Sequence, residues 1–122
     1  MDTHIVITVL LCAFQCEPAQ LRVWDGDTFR IGFGRQSERV RLAGIDAPEI
    51  EGRCRFEIAQ AQLAKNRLAE LLSDRRVDIV RHGIDPNGRT LATIRVEGRD
   101  AGDILVAEGL ARQWTGRRQP WC

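Results

Sequence analysis

The chain contains two stretches, Asp25-Gly26-Asp27-Thr28 and Arg41-Leu42-Ala43-Gly44-Ile45-Asp46-Ala47-Pro48-Glu49, that place acidic side chains and one guanidinium within apolar, strand-like sequence. Side chains alternate between the two faces of an extended strand. The first stretch and its neighbours therefore predict one shared face, made of Leu21, Val23, Asp25, Asp27, Phe29 and Ile31. Acids on an apolar face are costly to bury unless a cation or hydrogen-bond donors compensate them. The pattern favours a bound metal ion as that compensation.

The second stretch adds further acids at a fixed offset. Residues 40–45 are predicted to form another strand, which contains Arg41. Pro48 biases Ala47 towards an extended conformation, so Asp46 and Glu49 should leave the strand in a turn of defined geometry. A reactive site needs side chains that are held in this way.

A third motif, Asp85-Pro86-Asn87-Gly88-Arg89, completes an ordered set. With these motifs the chain resembles the staphylococcal-type thermonuclease family, whose pattern is a strand with DGDT, a strand with R-x-x-x-x-D-x-P-E and a later D-x-x-G-R. The resemblance covers roughly residues 18–115, and three motifs in order are far more specific than any one alone. The separation between Asp27 and Arg41 also matches the family without a gap.

The predicted elements indicate a mainly β fold with helices, of the α+β class. Two strands and a hairpin around Gly32-Phe33-Gly34 precede the strand at residues 40–45. A helix is predicted over about residues 56–72, because apolar residues recur there at three- and four-residue spacing. That stripe, which we interpret as core packing, consists of Ala61, Ala64, Leu68, Leu71 and Leu72.

Two further strands and a helix are predicted in the second half of the chain. Residues 77–81 and 90–96 are predicted strands, joined by a tight turn at residues 85–88. Asp100 is a candidate N-cap for a second helix that ends at Gly109. Five strands with these helices suit an OB-type barrel, and the family resemblance implies the same fold.

Length and charge set limits on the interpretation. One domain is expected for 122 residues, since domains typically have about 100–150 residues, and we assign it to residues 20–122. A net charge of +1 does not by itself indicate a nucleic-acid-binding protein. Of the 18 Lys and Arg residues only Lys65 is lysine, and arginine favours bidentate recognition of phosphate and carboxylate. A G+C-rich genome also explains this bias.

Residues 1–19 allow two interpretations. The apolar run at residues 5–14 is too short for a membrane span of about 20 residues, and its length suits a secretory signal with cleavage near Ala19. Asp2 in place of a positive charge, and the lack of a clean A-x-A site, argue against a signal. The alternative is an extra β-strand, because residues 5–9 are rich in β-branched side chains. The signal implies a secreted or periplasmic protein, and the strand leaves a cytoplasmic one open.

The cysteines bear on the same choice. Cleavage would leave Cys54 and Cys122 as an even pair, which could form a disulfide in an oxidising compartment. Two ordinary thiols are the alternative. Cys12 and Cys16 lack a second ligand pair, so no spacing of Cys and His indicates zinc.

The resemblance also implies roles for individual residues. Asp27 and Asp46 match the metal-binding carboxylates of the family, and Ala47 matches the position that provides a backbone carbonyl. An oxygen-only ligand set agrees with one Ca²⁺ ion. Asp25 matches an acidic position that supports the metal ligands, with a turn or solvated aspartate as the alternative.

Three further positions match the catalytic residues of the family. Glu49 matches the proposed general base, which would take a proton from a metal-associated water. Arg41 and Arg89 match two guanidiniums that stabilise charge on the phosphate in the transition state.

Substrate contacts are where the chain departs from the family pattern. The chain has no tyrosine, whereas relatives with well-defined nucleotide pockets place tyrosines near the turn and beyond the second helix. Asn87 stands at one such position and Arg117 falls near another. Trp114 is a candidate for stacking on a base or for closing the core. Arg112, Arg117 and Arg118 form a basic segment that suits a phosphate backbone or a solvated end.

The sequence therefore predicts a Ca²⁺-dependent endonuclease, a phosphodiesterase that hydrolyses DNA and RNA and leaves 3′-phosphate ends. A monomer without membrane insertion is expected. The rival interpretation is a non-catalytic module on the same barrel that binds nucleic acid or protein. Such relatives are expected to lose the acids and arginines that this chain retains. A hydrolase for small phosphodiesters is a third, weaker alternative.

Overall fold

A computed structural model describes residues 3–122 and shows an α+β fold with two helices. Its elements in chain order are β1 (Ile5–Cys12), β2 (Cys16–Val23), β3 (Thr28–Ile31), β4 (Glu38–Leu42), β5 (Ile45–Asp46), α1 (Arg55–Leu72), β6 (Arg76–Ile84), β7 (Thr90–Val96), β8 (Arg99–Asp100), α2 (Ala101–Ala107) and β9 (Arg112–Gln113).

Six strands close into a barrel. The sheet order is β4-β3-β2-β1-β6-β7-β8, and a pairing between β4 and β7 closes it. The β1–β6 and β4–β7 pairs are parallel, and the other pairs in this sheet are antiparallel. The predicted barrel class is confirmed, with one strand more than the five that were predicted.

The additional strand is β1, formed by the apolar run near the start of the chain. Ile7, Val9 and Leu11 are buried, whereas Val6 and Leu10 are half exposed. This alternation places one face of β1 in the core, as the strand interpretation of this run requires. A disulfide between Cys12 and Cys16, which the sequence did not predict, closes the β1–β2 hairpin. The cellular location of the protein stays a prediction.

Helix α1 covers the core through its small and branched residues. Every member of the predicted stripe is buried, and the helix begins one residue earlier than predicted. Helix α2 is capped by Asp100, whose carboxylate accepts a hydrogen bond from the Asp103 N–H. Gly109 follows the helix with a left-handed φ of 76°, the conformation expected of a terminating glycine. Within residues 3–122, neither helix is long and apolar enough to cross a membrane.

The segment around Asp25 and Asp27 differs from the prediction of one continuous strand. β2 ends at Val23 and β3 begins at Thr28, so the two acids lie in the turn of a hairpin. Leu21 pairs with Ile31 across this hairpin, and Val23 pairs with Phe29. The predicted face survives because cross-strand partners point to the same side of a sheet.

Candidate active site

The turn between β2 and β3 is built around the carboxylate of Asp25. Its Oδ1 accepts hydrogen bonds from the N–H groups of Asp27 and Thr28, at 3.1 and 2.8 Å, and from the Thr28 hydroxyl at 2.7 Å. Asp25 is 2 % exposed. This carboxylate therefore fixes the turn that presents Asp27. Its predicted support of metal ligands stays a prediction.

Gly26 allows this turn to lie directly on helix α1. A Cβ atom at Gly26 would come within 2.7 Å of the Ala64 Cβ and 3.0 Å of the Ala47 Cβ. Real Cβ atoms essentially never approach a neighbour as closely as the first of these. The glycine of the DGDT motif is thus required by packing.

Asp27 joins the turn to the second motif. Its Oδ2 accepts a hydrogen bond from the Ala47 N–H at 2.7 Å and lies 3.2 Å from Nη1 of Arg41. Burial and the nearby charge of Asp25 raise the pKa of Asp27 well above its ordinary value, and Arg41 offsets only part of that increase. The surroundings of this carboxylate, burial above all, therefore disfavour its ionised form.

Arg41 lies between the two predicted metal ligands. Its Nη2 is 3.8 Å from Oδ1 of Asp46, and its Nη1 also donates to the Leu42 carbonyl at 2.8 Å. Asp46 is 5 % exposed and accepts a further hydrogen bond from the Trp121 indole N–H at 3.3 Å. The sequence pattern favoured a metal as the compensation for these acids, and the structure shows that guanidinium and indole donors provide part of it.

Glu49 lies on the loop after β5, where it pairs with Arg118. Nη1 of Arg118 donates to Oε1 of Glu49 at 2.7 Å and is 3.8 Å from Oδ1 of Asp46. Nη2 of the same guanidinium is 3.3 Å from Oε2 of Glu57. Arg118 thus contacts three acids of the site.

Sequence reasoning placed Arg118 in a basic segment and gave it no specific role. The available signal was Cys122, since a disulfide from Cys122 to Cys54 brings residue 118 near the loop that carries Glu49. That disulfide is present in the structure. Arg112 also helps to hold the segment after Arg118 in place. Its Cζ lies 3.7 Å from the centroid of the Trp121 ring, and its Nη1 donates to the Pro120 carbonyl.

Glu57 anchors the loop between Glu49 and helix α1. Its carboxylate accepts hydrogen bonds from the N–H groups of Glu49 and Arg53, each at 3.0 Å. Burial alone would raise the pKa of Glu57, but these two N–H donors and Arg118 hold the pKa below its ordinary value. Glu57 therefore stays ionised and holds the loop in place.

Arg89 follows the turn of the third motif. The carboxylate of Asp85 accepts hydrogen bonds from the N–H groups of Asn87 and Arg89, and from Nε of Arg89 at 2.8 Å. Burial opposes ionisation of Asp85, yet these donors lower its pKa. The turn thus fixes both the backbone and the side chain of Arg89.

These elements meet in a cleft of about 220 Å³, lined by Trp24, Asp25, Asp27, Thr28, Arg41, Asp46, Glu49, Arg89, Trp114 and Arg118. Every predicted acid and catalytic arginine lines it, and Ala47 is buried beside it. Trp114 is 45 % exposed and so does not close the core. Asn87 and Arg117 are exposed and are not among the lining residues.

The cleft suits a hard cation. Within residues 3–122, no three His, Cys, Asp or Glu side chains are already arranged as a metal-binding group. The buried carboxylates of Asp27 and Asp46 nevertheless offer oxygen donors only, and a nearby cation favours the ionised form of a buried carboxylate. Carboxylates, backbone carbonyls and waters are the ligands that Ca²⁺ takes in proteins. The residues present therefore fit a Ca²⁺ ion.

Known proteins share this sequence pattern. The profile of the family described as staphylococcal nuclease homologue matches residues 39–120. A protein named micrococcal nuclease from Shigella flexneri is 35 % identical over 100 residues, which is 75 % of this chain and 54 % of the relative. A thermonuclease from Staphylococcus intermedius is 38 % identical over 93 residues, which is 75 % of this chain and 55 % of the relative.

An uncharacterized endonuclease from Haemophilus influenzae is 34 % identical over 92 residues, which is 75 % of this chain and 48 % of the relative. The chain thus spans about half the length of these relatives. Because the family profile matches more than half of the chain, and the motifs meet in one cleft of the barrel, the chain belongs to the staphylococcal nuclease homologue family.

Proposed function

We propose that this protein is a Ca²⁺-dependent nuclease that hydrolyses phosphodiester bonds in DNA and RNA and leaves 3′-phosphate ends. The observation that carries the proposal is the single cleft that unites the carboxylates of Asp27, Asp46 and Glu49 with the guanidiniums of Arg41 and Arg89. The names of the relatives, which include a micrococcal nuclease and a thermonuclease, support the same reaction class.

Asp27 and Asp46 would hold the ion, together with the backbone carbonyl of Ala47. When bound there, Ca²⁺ supplies Lewis-acid stabilisation of negative charge on the phosphate. Its affinity should depend on the N–H donor of Ala47 and on Arg41, because both contact the Asp27 carboxylate.

The protein's own residues perform the remaining work. Glu49 takes a proton from the attacking water as the water oxygen bonds to phosphorus. The P–O5′ bond breaks, and the leaving 5′-oxygen takes a proton from solvent. The Glu49 side chain is 43 % exposed and thus accessible to solvent. Arg41 and Arg89 donate to the non-bridging phosphate oxygens as charge accumulates on them. Removing one preorganised donor that stabilises charge in a transition state typically raises the activation free energy by about 2.7–4 kcal/mol.

We also propose that the protein works in an oxidising compartment, as a secreted or periplasmic monomer. Two disulfides, Cys12–Cys16 and Cys54–Cys122, support this location, because disulfides persist in such compartments and are rare in the cytosol.

The deciding experiment is a cleavage assay of the purified protein on single-stranded DNA and on RNA, with Ca²⁺, with EDTA and with Mg²⁺ in place of Ca²⁺. We expect cleavage of both polymers with Ca²⁺, none with EDTA, and 3′-phosphate on the products. Binding of polymer without chelator-sensitive cleavage would overturn the proposal in favour of a non-catalytic binding module.

A further inference from the structure

A second, basic cavity adjoins the candidate active site. It has a volume of about 300 Å³ and is lined by His4, Trp24, Thr28, Phe29, Arg30, Arg39, Val40 and Arg89. Trp24, Thr28 and Arg89 line both cavities, so the two are direct neighbours. Three arginines and no carboxylate line this second cavity among the described residues, and we call it the arginine groove.

The register of β3 and β4 explains how the arginine groove continues the site. Thr28 lies opposite Arg41, and Arg30 lies opposite Arg39. Alternation puts these four side chains on the outer face of the β3–β4 ribbon, whereas Phe29 and Val40 are buried on the other face. The row therefore runs from Arg41 in the site to the Arg30–Arg39 pair, two residues further along the strands.

Arg30 and Arg39 face each other at a cost in folding stability. Like charges directly opposite on antiparallel strands are destabilising. Arg30 donates to the Ser37 hydroxyl at 3.1 Å, and Arg39 donates to the Asn87 carbonyl. Neither guanidinium forms an ion pair with a carboxylate in the part of the chain from residue 3 onward. Both acceptors are neutral, so the positive charges remain uncompensated.

The nearest acid on β4 does not neutralise them either. Glu38 is a neighbour of Arg39 in sequence, but its carboxylate is bound by Arg81 at 2.7 and 2.8 Å and by the Thr90 hydroxyl at 2.8 Å. The arginine groove thus retains two positive charges beside a site that would act on a phosphodiester.

We propose that the arginine groove binds a phosphate of the nucleic-acid strand that flanks the phosphate being cut. Two residues along a strand advance about 6.7 Å, a step comparable to one nucleotide of an extended single strand. A strand whose scissile phosphate lies at Arg41 would therefore place a neighbouring phosphate between Arg30 and Arg39. This inference rests on the proposed function for the identity of the polymer.

The test compares the neutralising double variant Arg30→Gln/Arg39→Gln with a matched control, Arg95→Gln/Arg99→Gln. Arg95 and Arg99 are exposed; Arg95 lies near the end of β7 opposite Thr90, and Arg99 lies on the adjacent β8. Each variant loses two positive charges, so the change in net charge is equal. Binding of fluorescent single-stranded dT20 is measured by anisotropy in EDTA as a function of salt, so that no cleavage is needed.

We expect the groove variant to bind dT20 at least tenfold more weakly than the wild type. Its slope of log K against log salt should be smaller in magnitude by about 0.7, since the groove is proposed to hold one phosphate and each phosphate contact to a single strand contributes about 0.7. The control should lie within twofold of the wild type. The thermal unfolding midpoint of the groove variant should be no lower than that of the wild type, since the like-charge pair is removed.

A second arm measures cleavage with Ca²⁺. The KM of the groove variant for the 20-mer should be higher than that of the wild type. A dinucleoside monophosphate is too short to reach the arginine groove from the site, so its kcat/KM should stay within twofold of the wild-type value. Equal losses in the groove and control variants, unchanged dT20 binding in the groove variant, or no dT20 binding by the wild type would each overturn the inference. Polymer binding with the expected difference but no cleavage would overturn the proposed function and leave this inference standing.

Discussion

The cleft and the neighbouring arginine groove form two ends of one surface, and these ends treat charge in opposite ways. At one end, Arg41 and Arg118 are ion-paired with acids at 2.7–3.8 Å, and the acids accept further donors from the backbone and from Trp121. At the other end, Arg30 and Arg39 face each other with only neutral acceptors. The first end uses its arginines to hold acids in place, and the second keeps its arginines available for an anion.

The largest expected effect tests whether the end with the ion-paired arginines, which contains Glu49, carries out the hydrolysis. We call it the paired end. Replacing Glu49 by Gln removes the proposed general base, and general-base catalysis is typically worth about 10²–10⁴-fold in rate. We expect a loss of this size in kcat on single-stranded DNA, with an unchanged thermal unfolding midpoint because Glu49 is partly exposed. Glu51→Gln, a change at an exposed neighbour on the same loop, is the control. Wild-type turnover in Glu49→Gln would remove this residue from the mechanism.

The next prediction concerns the disulfide that holds the paired end together. Cys54 and Cys122 are 68 residues apart in sequence, and Cys12 and Cys16 are 4 apart. Loop closure in the unfolded chain then predicts losses of about 4.4 kcal/mol for the Cys54→Ser/Cys122→Ser variant and about 1.9 kcal/mol for the Cys12→Ser/Cys16→Ser variant.

Denaturant unfolding without reductant measures both losses of unfolding free energy. Equal losses in the two variants would contradict the loop-length argument. A larger loss from the shorter loop would show that the β1–β2 hairpin depends on its disulfide more than the loop beside Glu49 does.

A smaller effect separates two neighbouring arginines. Arg118 contacts Glu49 and Asp46, whereas Arg117 does not line the cleft. In Arg118→Ala we expect turnover to fall about tenfold, because Glu49 loses the donor that positions it. We also expect the Ca²⁺ concentration for half-maximal activity to fall several-fold, because a competing positive charge leaves Asp46.

Arg117→Ala is the matched control and should stay within twofold of the wild type in both quantities. If Arg117→Ala and Arg118→Ala behave alike, the segment acts through its overall charge, and the specific contacts of Arg118 contribute nothing measurable.

The smallest expected effect concerns Glu38, whose carboxylate is bound by Arg81 and Thr90 and does not line the arginine groove. The hydrogen bond from Arg81, opposed by burial and assisted by the Thr90 hydroxyl, lowers the pKa of Glu38 below its ordinary value. An acid with a lowered pKa in the folded state stabilises the fold above its unfolded pKa, and this contribution is lost as the pH falls through the folded pKa.

Both partners are partly exposed, so the contribution should be at most about 1 kcal/mol. Glu38→Gln should therefore lower the unfolding free energy at pH 7 and flatten its decline below pH 4.5. Unfolding free energies measured between pH 3 and pH 7 check this, and an unchanged acid limb would show that the ion pair does not contribute.

The sequence was sufficient for the elements whose signals are local. The apolar stripe of α1 and the cap at Asp100 lie where they were predicted, because both depend on spacing within a few residues. The three motifs also contain the acids of the cleft together with Arg41 and Arg89, but not Arg118.

The contacts that depend on long-range folding were not predictable in the same way. Arg118 meets Glu49 across 69 positions of sequence, and the pairing of Arg30 with Arg39 depends on the register of one hairpin. The interpretation of Asp25 and Asp27 as strand residues was wrong for a related reason. Alternation alone does not distinguish a continuous strand from a hairpin whose two arms keep the same parity.

The contact between Gly26 and Ala64 links the acidic turn to the interior. A Cβ added at Gly26 would lie only 2.7 Å from the Ala64 Cβ, so the helix and the turn have no spare space between them. The methyl group of Ala64 thus acts as a stop that sets how deeply Asp25 and Asp27 sit. A bulkier side chain at position 64, within the buried core, would therefore push the turn outward and displace both acids. It would impair the cleft without altering any polar group in it.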